Sequence, residues 1–274
     1  MPVVIGVAVA YDESMSFVAA EWLPRALLAL VVSLALQVGV NYANDYSDGV
    51  RGTDDDRAGP MRLVASRQAT PRAVKAAAFA AFGVACVAGL VLAALTTWWL
   101  VALGVVCVVA AWTYTGGPRP YGYAGLGEVF VFVFFGLMAT AGTTYVIVES
   151  VSVLAVLSGV LAGLLAVALL MVNNIRDIDG DSRSGKRTLA VRLGSARSKN
   201  FFALVYVAAF GVVIAASTQS LGALLGLAGL LAALPAISTV REATTAPRLI
   251  AALGMTARTQ LVVGMCYALG LVIQ

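Results

Sequence analysis

The sequence predicts an all-α, polytopic membrane protein of about nine transmembrane helices around a central cavity, and three observations support this class. Of the 274 residues, 61% are hydrophobic and 12% are charged, whereas soluble domains have about 45–50% and about 25%. The longest apolar runs are apolar in every register, unlike the alternating strands of a transmembrane barrel. The chain also repeats one polar pattern. A water-soluble globular protein is therefore excluded.

Eight apolar runs are long enough for a membrane-spanning helix, which needs about 20 residues. They cover about 23–43, 73–95, 97–115, 124–148, 151–174, 200–218, 220–240 and 249–273. We expect one domain over 1–274, built from two parallel four-helix repeats and one last helix. The repeats cover about 1–115 and about 124–240.

A ninth, shorter apolar stretch opens the chain. Residues 1–10 are apolar, and Asp12 and Glu13 then interrupt the run. The stretch lacks the basic region that begins a signal peptide. We expect it to belong to a first helix, truncated here, whose beginning lies upstream of the given start. A weak interfacial helix is the alternative.

The basic residues lie on one predicted side of the membrane. We number the opening stretch as helix 1 and the eight longer runs as helices 2 to 9. The net charge is +4, and of the 18 Lys and Arg residues all but Arg25 and Arg258 fall in or beside the loops after helices 2, 4, 6 and 8. The positive-inside rule places these loops in the cytoplasm of a plasma-membrane protein. Because topology explains the basic excess, the charge gives no reason to predict a nucleic-acid partner.

The repeated polar pattern is Asn-x-x-x-Asp followed by a further Asp. It occurs at the ends of helices 2 and 6, which therefore leave the membrane on the same side, as parallel repeats require. Residues three and four apart share a helix face, so each copy places its polar side chains in one column. The two columns are Asn41, Asp45 and Asp48, and Asn173, Asp177 and Asp181.

These columns predict a metal and phosphate site. Carboxylates at a membrane boundary are costly to dehydrate, by about 2.5–3.5 kcal/mol each at the bilayer centre, and need cations. Oxygen-only donors suit Mg²⁺, which usually combines one or two carboxylates with phosphate oxygens. Guanidinium and ammonium groups bind phosphate. The candidates beside the two patterns are Arg51, Arg57, Arg62, Arg176, Arg183, Lys186 and Arg187.

A solvated acidic surface is the simpler explanation of some of these residues. Acids are common at helix ends, and Asp54, Asp55 and Asp56 by themselves are better explained as a solvated run or a helix N-cap. The same pattern on two helices, each followed by a base-rich loop, favours an intramembrane site instead. The site would combine acidic residues for a metal ion, basic residues for phosphate and apolar helices for a hydrocarbon tail. This combination predicts a lipid diphosphate as the ligand.

Three segments resemble one known family. They are NYANDYSDGVRGTDDDRAGPMRLVAS at 41–66, NNIRDIDGDSRSGKRTLAVRL at 173–193 and YTGGPRPYGYAGLGEVFVFVFFG at 114–136. The first two resemble the Asp-rich signatures of the UbiA-type intramembrane prenyltransferases. The Gly-Thr-Asp-Asp-Asp-Arg extension and the Tyr-Thr-Gly-Gly-Pro segment are most similar to 1,4-dihydroxy-2-naphthoate polyprenyltransferases, the MenA family.

The resemblance implies an activity and a ligand set. It implies Mg²⁺-dependent transfer of a polyprenyl group from polyprenyl diphosphate to 1,4-dihydroxy-2-naphthoate, with decarboxylation, giving demethylmenaquinol for menaquinone biosynthesis. It implies that the six residues of the two columns hold Mg²⁺ and diphosphate. Arg62 and Lys186 fall at the family's basic positions, and Arg51 lies beside them. Leu137 stands where the family more usually has Pro, so an altered kink is expected there.

Aromatic residues and one buried acid complete the predicted site. Aromatic faces attract an allylic cation, and Tyr114, Tyr121 and Tyr145 are candidates, as are Tyr123 and Phe130, although most such residues only pack or lie at the membrane interface. Glu128, early in an apolar helix, is a candidate to orient the aromatic acceptor or act as a base. The alternative is a helix-boundary Glu paired with Arg119.

Other functions remain open at this point. The same chemistry on 4-hydroxybenzoate, homogentisate or a tetrapyrrole is the nearest alternative. A secondary transporter also has repeats and polar groups near the midplane, but here the polar clusters lie at one edge. A lipid-binding scaffold would not need two matched columns. Prenyl chain length and oligomeric state are not predicted.

Overall fold

The structure, a computed structural model, describes residues 1–14, 18–53, 59 and 61–273. This part of the chain contains helices and no strands. Seven of its helices are long and apolar enough to cross a membrane, and an eighth, shorter one is also apolar. The predicted all-α membrane fold is therefore confirmed.

Eleven helices follow one another along the described residues. They are α1 (Pro2–Glu13), α2 (Ala19–Val50), α3 (Pro71–Leu95), α4 (Trp99–Thr113), α5 (Gly127–Val148), α6 (Val153–Arg176), α7 (Ile178–Arg183), α8 (Leu189–Leu193), α9 (Ser195–Ala216), α10 (Leu221–Glu242) and α11 (Ala246–Ile273). A short 3₁₀ turn, Tyr121–Ala124, lies in the connection between α4 and α5.

The opening stretch is a packed helix. Ile5 and Val9 of α1 are fully buried, and α1 packs against α5, α6 and α11. The alternative of an interfacial helix is wrong, because such a helix buries only one face in lipid, whereas α1 contributes to the core.

The helices form two groups joined by α5. The largest apolar core takes residues from α1, α6, α9, α10 and α11. A smaller cluster, centred on Phe82, joins α2, α3 and α4. Helix α5 packs against both α2 and α6.

Helix α5 is irregular where a changed kink is expected. Its residues Phe132–Met138 form a π-helical segment between two α-helical ones. Within it, a Cβ on Gly136 would lie 2.3 Å from Cα of Gly163 in α6. Since the two backbones touch, only glycine fits at this crossing. The irregularity around Leu137 is a π-helical segment, which forms without a proline.

The polar patterns lie at the ends of the two helices, as predicted. The apolar part of helix 2 was expected to end at about residue 43, and α2 continues through the polar pattern to Val50, because its backbone hydrogen bonds do not depend on apolar side chains. Helix α6 ends at Arg176, and Asp177 is its C-cap. Helical spacing nevertheless persists, since Asp177 N–H binds Asn173 O and Asp181 N–H binds Asp177 O.

Candidate active site

Asp45 ties the last turns of α2 to the following loop. Its carboxylate is buried and accepts hydrogen bonds from the backbone N–H groups of Leu63 at 2.9 Å and Val64 at 3.0 Å. Arg62 directly precedes these two residues. Asp45 therefore fixes the backbone beside Arg62, while both of its oxygens are already hydrogen bonded.

Asp48 and Asp181, one from each polar pattern, meet at Lys186. The Lys186 Nζ atom lies 3.5 Å from Oδ2 of Asp48 and 3.6 Å from Oδ1 of Asp181. Both carboxylates are buried. We call this arrangement the Lys186 bridge. It joins α2 to the segment after α6, which sequence spacing alone did not require.

The turn after α7 presents Lys186 to both acids. Lys186 N–H donates to Asp181 O at 2.8 Å, and Gly185 before it has φ of +78°, a conformation that glycine adopts without strain. Burial lowers the pKa of Lys186, but the charges of Asp48 and Asp181 outweigh burial and raise it above its ordinary value. The Lys186 side chain is therefore protonated at neutral pH.

Asp181 retains an unused oxygen. Its Oδ2 atom is buried and has no hydrogen-bond partner among the described residues. Burial raises the pKa of Asp181 to about 6, against the opposing charge of Lys186. An additional cation at Oδ2 would stabilise the ionised carboxylate.

Asp177 pairs with its neighbour Arg176. The Arg176 Nε and Nη2 atoms each lie 2.7 Å from one Asp177 oxygen, the bidentate geometry that guanidinium favours. The Arg176 side chain is only 1% exposed. Its Nη1 is buried with no hydrogen-bond partner in the described ranges, and a Cβ on Gly59 would approach that atom to 3.3 Å.

Arg51 and Tyr123 attach the first pattern to the α4–α5 connection. Arg51 donates to the carbonyl of Thr115 and, at 2.6 Å, to that of Gly117. The Tyr123 hydroxyl donates to Oδ1 of Asp48 at 2.6 Å. Sequence reasoning named Tyr123 only as a candidate for attracting the allylic cation, so its hydrogen bond to Asp48 was missed.

Glu128 lies beside the second pattern rather than beside Arg119. Its Oε1 accepts a hydrogen bond from Asn174 at 2.8 Å, and its buried Oε2 has no partner among the described residues. The predicted alternative, a pair with Arg119, is wrong: both residues are described, and the carboxylate bonds Asn174 instead.

Tyr114 links Glu128 electrostatically to the Lys186 bridge. Burial raises the pKa of Tyr114 to about 12, and the charges of Lys186, Glu128, Asp48 and Asp181 all act on it as smaller effects. Tyr114 therefore lies within electrostatic reach of all four residues.

The other predicted aromatic residues lie in two different parts of the structure, one beside Tyr114 and one at Trp99. Tyr121 stacks on Phe130 with 3.8 Å between ring centroids and meets Tyr114 edge-on at 5.4 Å, so these rings adjoin the site. Tyr145 accepts a hydrogen bond from Trp99 at 3.2 Å. It lies 17 residues beyond Glu128, about 25 Å along the helix axis, and the structure does not bring it to the acids.

The asparagines nearest the site differ from those in the predicted columns. Asn41 is exposed and donates to Gln37 O of its own helix, and Asn173 is half-buried. Asn44 instead accepts from Thr115 at 2.8 Å, and Asn174 binds Glu128. Each polar pattern contains two asparagines, Asn41 and Asn44 in the first and Asn173 and Asn174 in the second. Helical spacing favoured Asn41 and Asn173, whereas the structure bonds Asn44 and Asn174 to neighbouring segments.

Four predicted residues lie outside the described part of the chain. They are Asp54, Asp55, Asp56 and Arg57.

The donor chemistry fits a hard cation that also binds phosphate. No group of three acidic, Cys or His side chains within the described ranges is close enough to hold an ion by itself. The unpartnered Oδ2 of Asp181 and the carboxylate of Asp48 offer oxygen atoms only. Mg²⁺ usually takes one or two carboxylates and completes its shell with water and phosphate oxygens, so the residues fit Mg²⁺ together with a diphosphate.

The structure is that of a helical membrane protein with a buried cluster of acidic and basic side chains, and comparison with known proteins shows its family. The sequence pattern of the UbiA prenyltransferase family matches residues 1–248. The chain belongs to this family, which confirms the resemblance in the two Asp-rich runs.

Three curated relatives similar to this chain are named 1,4-dihydroxy-2-naphthoate octaprenyltransferase. The Mycobacterium tuberculosis protein is 54% identical over 67% of this chain and 65% of its own length. The Mycobacterium leprae protein is 48% identical over 82% and 76%, and the Escherichia coli protein 39% over 76% and 70%. The chain therefore spans just under two thirds of the matched M. tuberculosis protein.

Solved structures share the fold. The apo structure of a UbiA homolog from Aeropyrum pernix K1 superposes with a TM-score of 0.73 at 17% identity, covering 96% of both chains. The structure of a digeranylgeranylglyceryl phosphate synthase gives 0.64 at 14% identity, covering 100% of this chain and 92% of the other.

Proposed function

We propose that this chain transfers a polyprenyl group from polyprenyl diphosphate to 1,4-dihydroxy-2-naphthoate, with decarboxylation, as an Mg²⁺-dependent membrane enzyme of menaquinone biosynthesis. The observation that carries the proposal is the Lys186 bridge, in which the two Asp-rich runs meet around one cation. The names of the three relatives support the acceptor.

The chain's own cations act on the diphosphate. Lys186, Arg51 and Arg62 bind its oxygens, and carboxylates of the two columns would hold a metal ion. When the allylic C–O bond breaks, negative charge grows on the departing diphosphate, and fixed positive groups in a dry site stabilise that charge. Bound Mg²⁺ would neutralise part of the same charge.

Glu128 acts on the acceptor, and Tyr114 and Tyr121 act on the allylic cation. The buried, unpartnered Oε2 of Glu128 accepts a hydrogen bond from an acceptor hydroxyl, while Asn174 fixes the other oxygen. A base held in this way raises the electron density of the ring as the new C–C bond forms. The aromatic faces of Tyr114 and Tyr121 attract the allylic cation.

A reconstituted assay tests the proposal. Purified protein in lipid receives 1,4-dihydroxy-2-naphthoate and a long prenyl diphosphate, with Mg²⁺ or with EDTA, and mass spectrometry identifies products. We expect prenylated, decarboxylated naphthoquinol only with Mg²⁺. Prenylation of another aromatic acceptor in its place would discard the naphthoate. Metal-dependent uptake into vesicles without a covalent product would instead indicate transport.

Variants test the ligand assignment. We expect Asp45→Ala and Asp177→Ala each to abolish transfer while the protein stays folded in size-exclusion chromatography. Full activity in either variant would remove that residue from the metal and diphosphate site.

Glu128→Gln tests the acceptor side. Glutamine keeps the hydrogen bond with Asn174 but is no base, so we expect kcat to fall about 100-fold, a typical effect of losing a general base. The KM for prenyl diphosphate should not change. Unchanged turnover and unchanged acceptor KM would show that Glu128 only supports the fold.

A further inference from the structure

Tyr123 contacts residues of both Asp-rich runs with one side chain. Its hydroxyl donates to Oδ1 of Asp48 at 2.6 Å and lies 3.2 Å from Oγ1 of Thr53. The Arg51 guanidinium lies 5.1 Å and Lys186 Nζ 5.2 Å from its ring centroid. It comes from the 3₁₀ turn that precedes α5, the helix between the two groups.

The backbone around Tyr123 is held from the second run. The Tyr123 carbonyl accepts a hydrogen bond from Arg187 N–H at 2.9 Å, and Arg187 directly follows Lys186. Arg51 binds carbonyls of the same connection at Thr115 and Gly117. The turn is thereby attached to both halves, so the position of the Tyr123 ring is fixed relative to both.

The hydroxyl determines how Asp48 is oriented. A distance of 2.6 Å between a hydroxyl and a carboxylate oxygen is typical of a charge-assisted hydrogen bond. Because Oδ1 of Asp48 is taken by Tyr123, Oδ2 is the oxygen that faces Lys186 at 3.5 Å. Without the hydroxyl, the carboxylate would lose the contact that selects this rotamer.

The ring brings two like charges close together. Arg51 and Lys186 repel each other, but the negative face of an aromatic ring attracts both cations. Tyr123 therefore holds two phosphate-binding groups near Asp48 before any anion arrives, and groups positioned in advance bind with less loss of conformational entropy.

We propose that Tyr123 is the positioning residue of the diphosphate and metal site. Its hydroxyl fixes the orientation of Asp48, whose Oδ2 faces Lys186, and its ring positions Arg51 and Lys186 for the diphosphate oxygens. This inference rests on the proposed function, because it assumes that the Lys186 bridge binds a diphosphate with its cation.

Tyr123→Phe removes the hydroxyl and keeps the ring. We expect the affinity for Mn²⁺, a paramagnetic substitute for Mg²⁺, to fall about tenfold in the presence of inorganic pyrophosphate, as is common when an outer partner of a metal ligand is lost. The KM for prenyl diphosphate should rise similarly, and the KM for the aromatic acceptor should not change. Electron paramagnetic resonance of free Mn²⁺ measures binding without turnover.

Tyr267→Phe is the matched control. Tyr267 is fully buried, and its hydroxyl is hydrogen bonded to Ser158 at 2.8 Å, within the core of α6 and α11. This variant loses one buried hydroxyl contact as well, but outside the site. We expect it to lower the melting temperature and to leave Mn²⁺ affinity unchanged.

Tyr123→Leu removes the ring as well. Pyrophosphate affinity should fall further in this variant than in Tyr123→Phe, because Arg51 and Lys186 lose their contact with the aromatic ring. Comparison of folded protein by melting temperature keeps folding defects apart from binding defects.

Equal Mn²⁺ and pyrophosphate affinity in wild type and both Tyr123 variants would overturn the inference. A fall in acceptor affinity as large as the fall in Mn²⁺ affinity would also overturn it, since it would indicate general disruption. The proposed function fails in a different measurement, the absence of prenylated product from the unsubstituted protein.

Discussion

The ammonium of Lys186 is shared by two buried carboxylates, one of which lies 138 positions away in the chain. Two buried acids facing each other without a counter-charge repel strongly and shift their protonation. Lys186 balances their charge, so its contribution to the free energy of the site is expected to exceed that of an exposed basic residue, whose ion pair contributes at most about 1 kcal/mol.

Lys186→Met is expected to lower kcat/KM for prenyl diphosphate by about 100-fold, because removing one partner of a buried charge pair costs about 2–5 kcal/mol. Steady-state kinetics in detergent measures this change.

The control for Lys186 is Lys199→Met. Lys199 donates to the carbonyls of Arg241 and Ala243 at the end of α10, away from the acids. This variant should lose stability and keep its kinetics. Equal kinetic losses in the two variants would contradict a specific role for Lys186.

At the residue scale, the sequence singled out the acids that the structure brings together at Lys186 but not all of their hydrogen-bond partners. Asp48, Asp181 and Lys186 were all predicted as site residues, because charged groups in an apolar chain stand out. The hydrogen bond of Tyr123 to Asp48 was not predicted, since it joins residues 75 positions apart and depends on how the α4–α5 connection folds. Local spacing contains no information on such a contact.

The crossing of α5 and α6 is sensitive to side-chain volume. Gly136→Ala places a Cβ 2.3 Å from Cα of Gly163, so a backbone must move. Overpacking of this kind costs about 1–3 kcal/mol. We expect a lower melting temperature in differential scanning fluorimetry and a lower activity, since α5 carries Glu128.

Gly142→Ala is the control on the same helix. A Cβ there meets nothing within 4 Å, and alanine stabilises a helix relative to glycine by about 0.5–1 kcal/mol. A melting temperature equal to or above that of the wild type is expected. A loss as large as that of Gly136→Ala would show that the crossing is not the cause.

Helix positions were predicted well and helix ends less well. The apolar runs mark where the chain crosses the membrane, which hydropathy reports directly. The apolar run alone ends before α2 does, because polar residues at 41–48 remain helical as far as Val50. The π segment of α5 was expected only as an altered kink, since its cause is the close approach of α6.

The positive-inside rule predicts the orientation of the whole molecule, and cysteine labelling tests it. With Cys86, Cys107 and Cys266 replaced by Ala, single cysteines at the exposed positions Ser184 and Gln219 report the two sides. A membrane-impermeant maleimide should label Gln219→Cys in intact cells and Ser184→Cys only after permeabilisation. The reverse labelling would place the candidate site outside the cytoplasm.

Helix α4 has consequences for the bilayer around the protein. Its 15 residues, Trp99–Thr113, rise about 22 Å, whereas hydrocarbon is about 30 Å thick. Trp98 and Trp99 are exposed at its start, and tryptophan prefers the headgroup level. A short span flanked in this way favours local thinning, so lipids with short acyl chains should support this enzyme better than lipids with long ones.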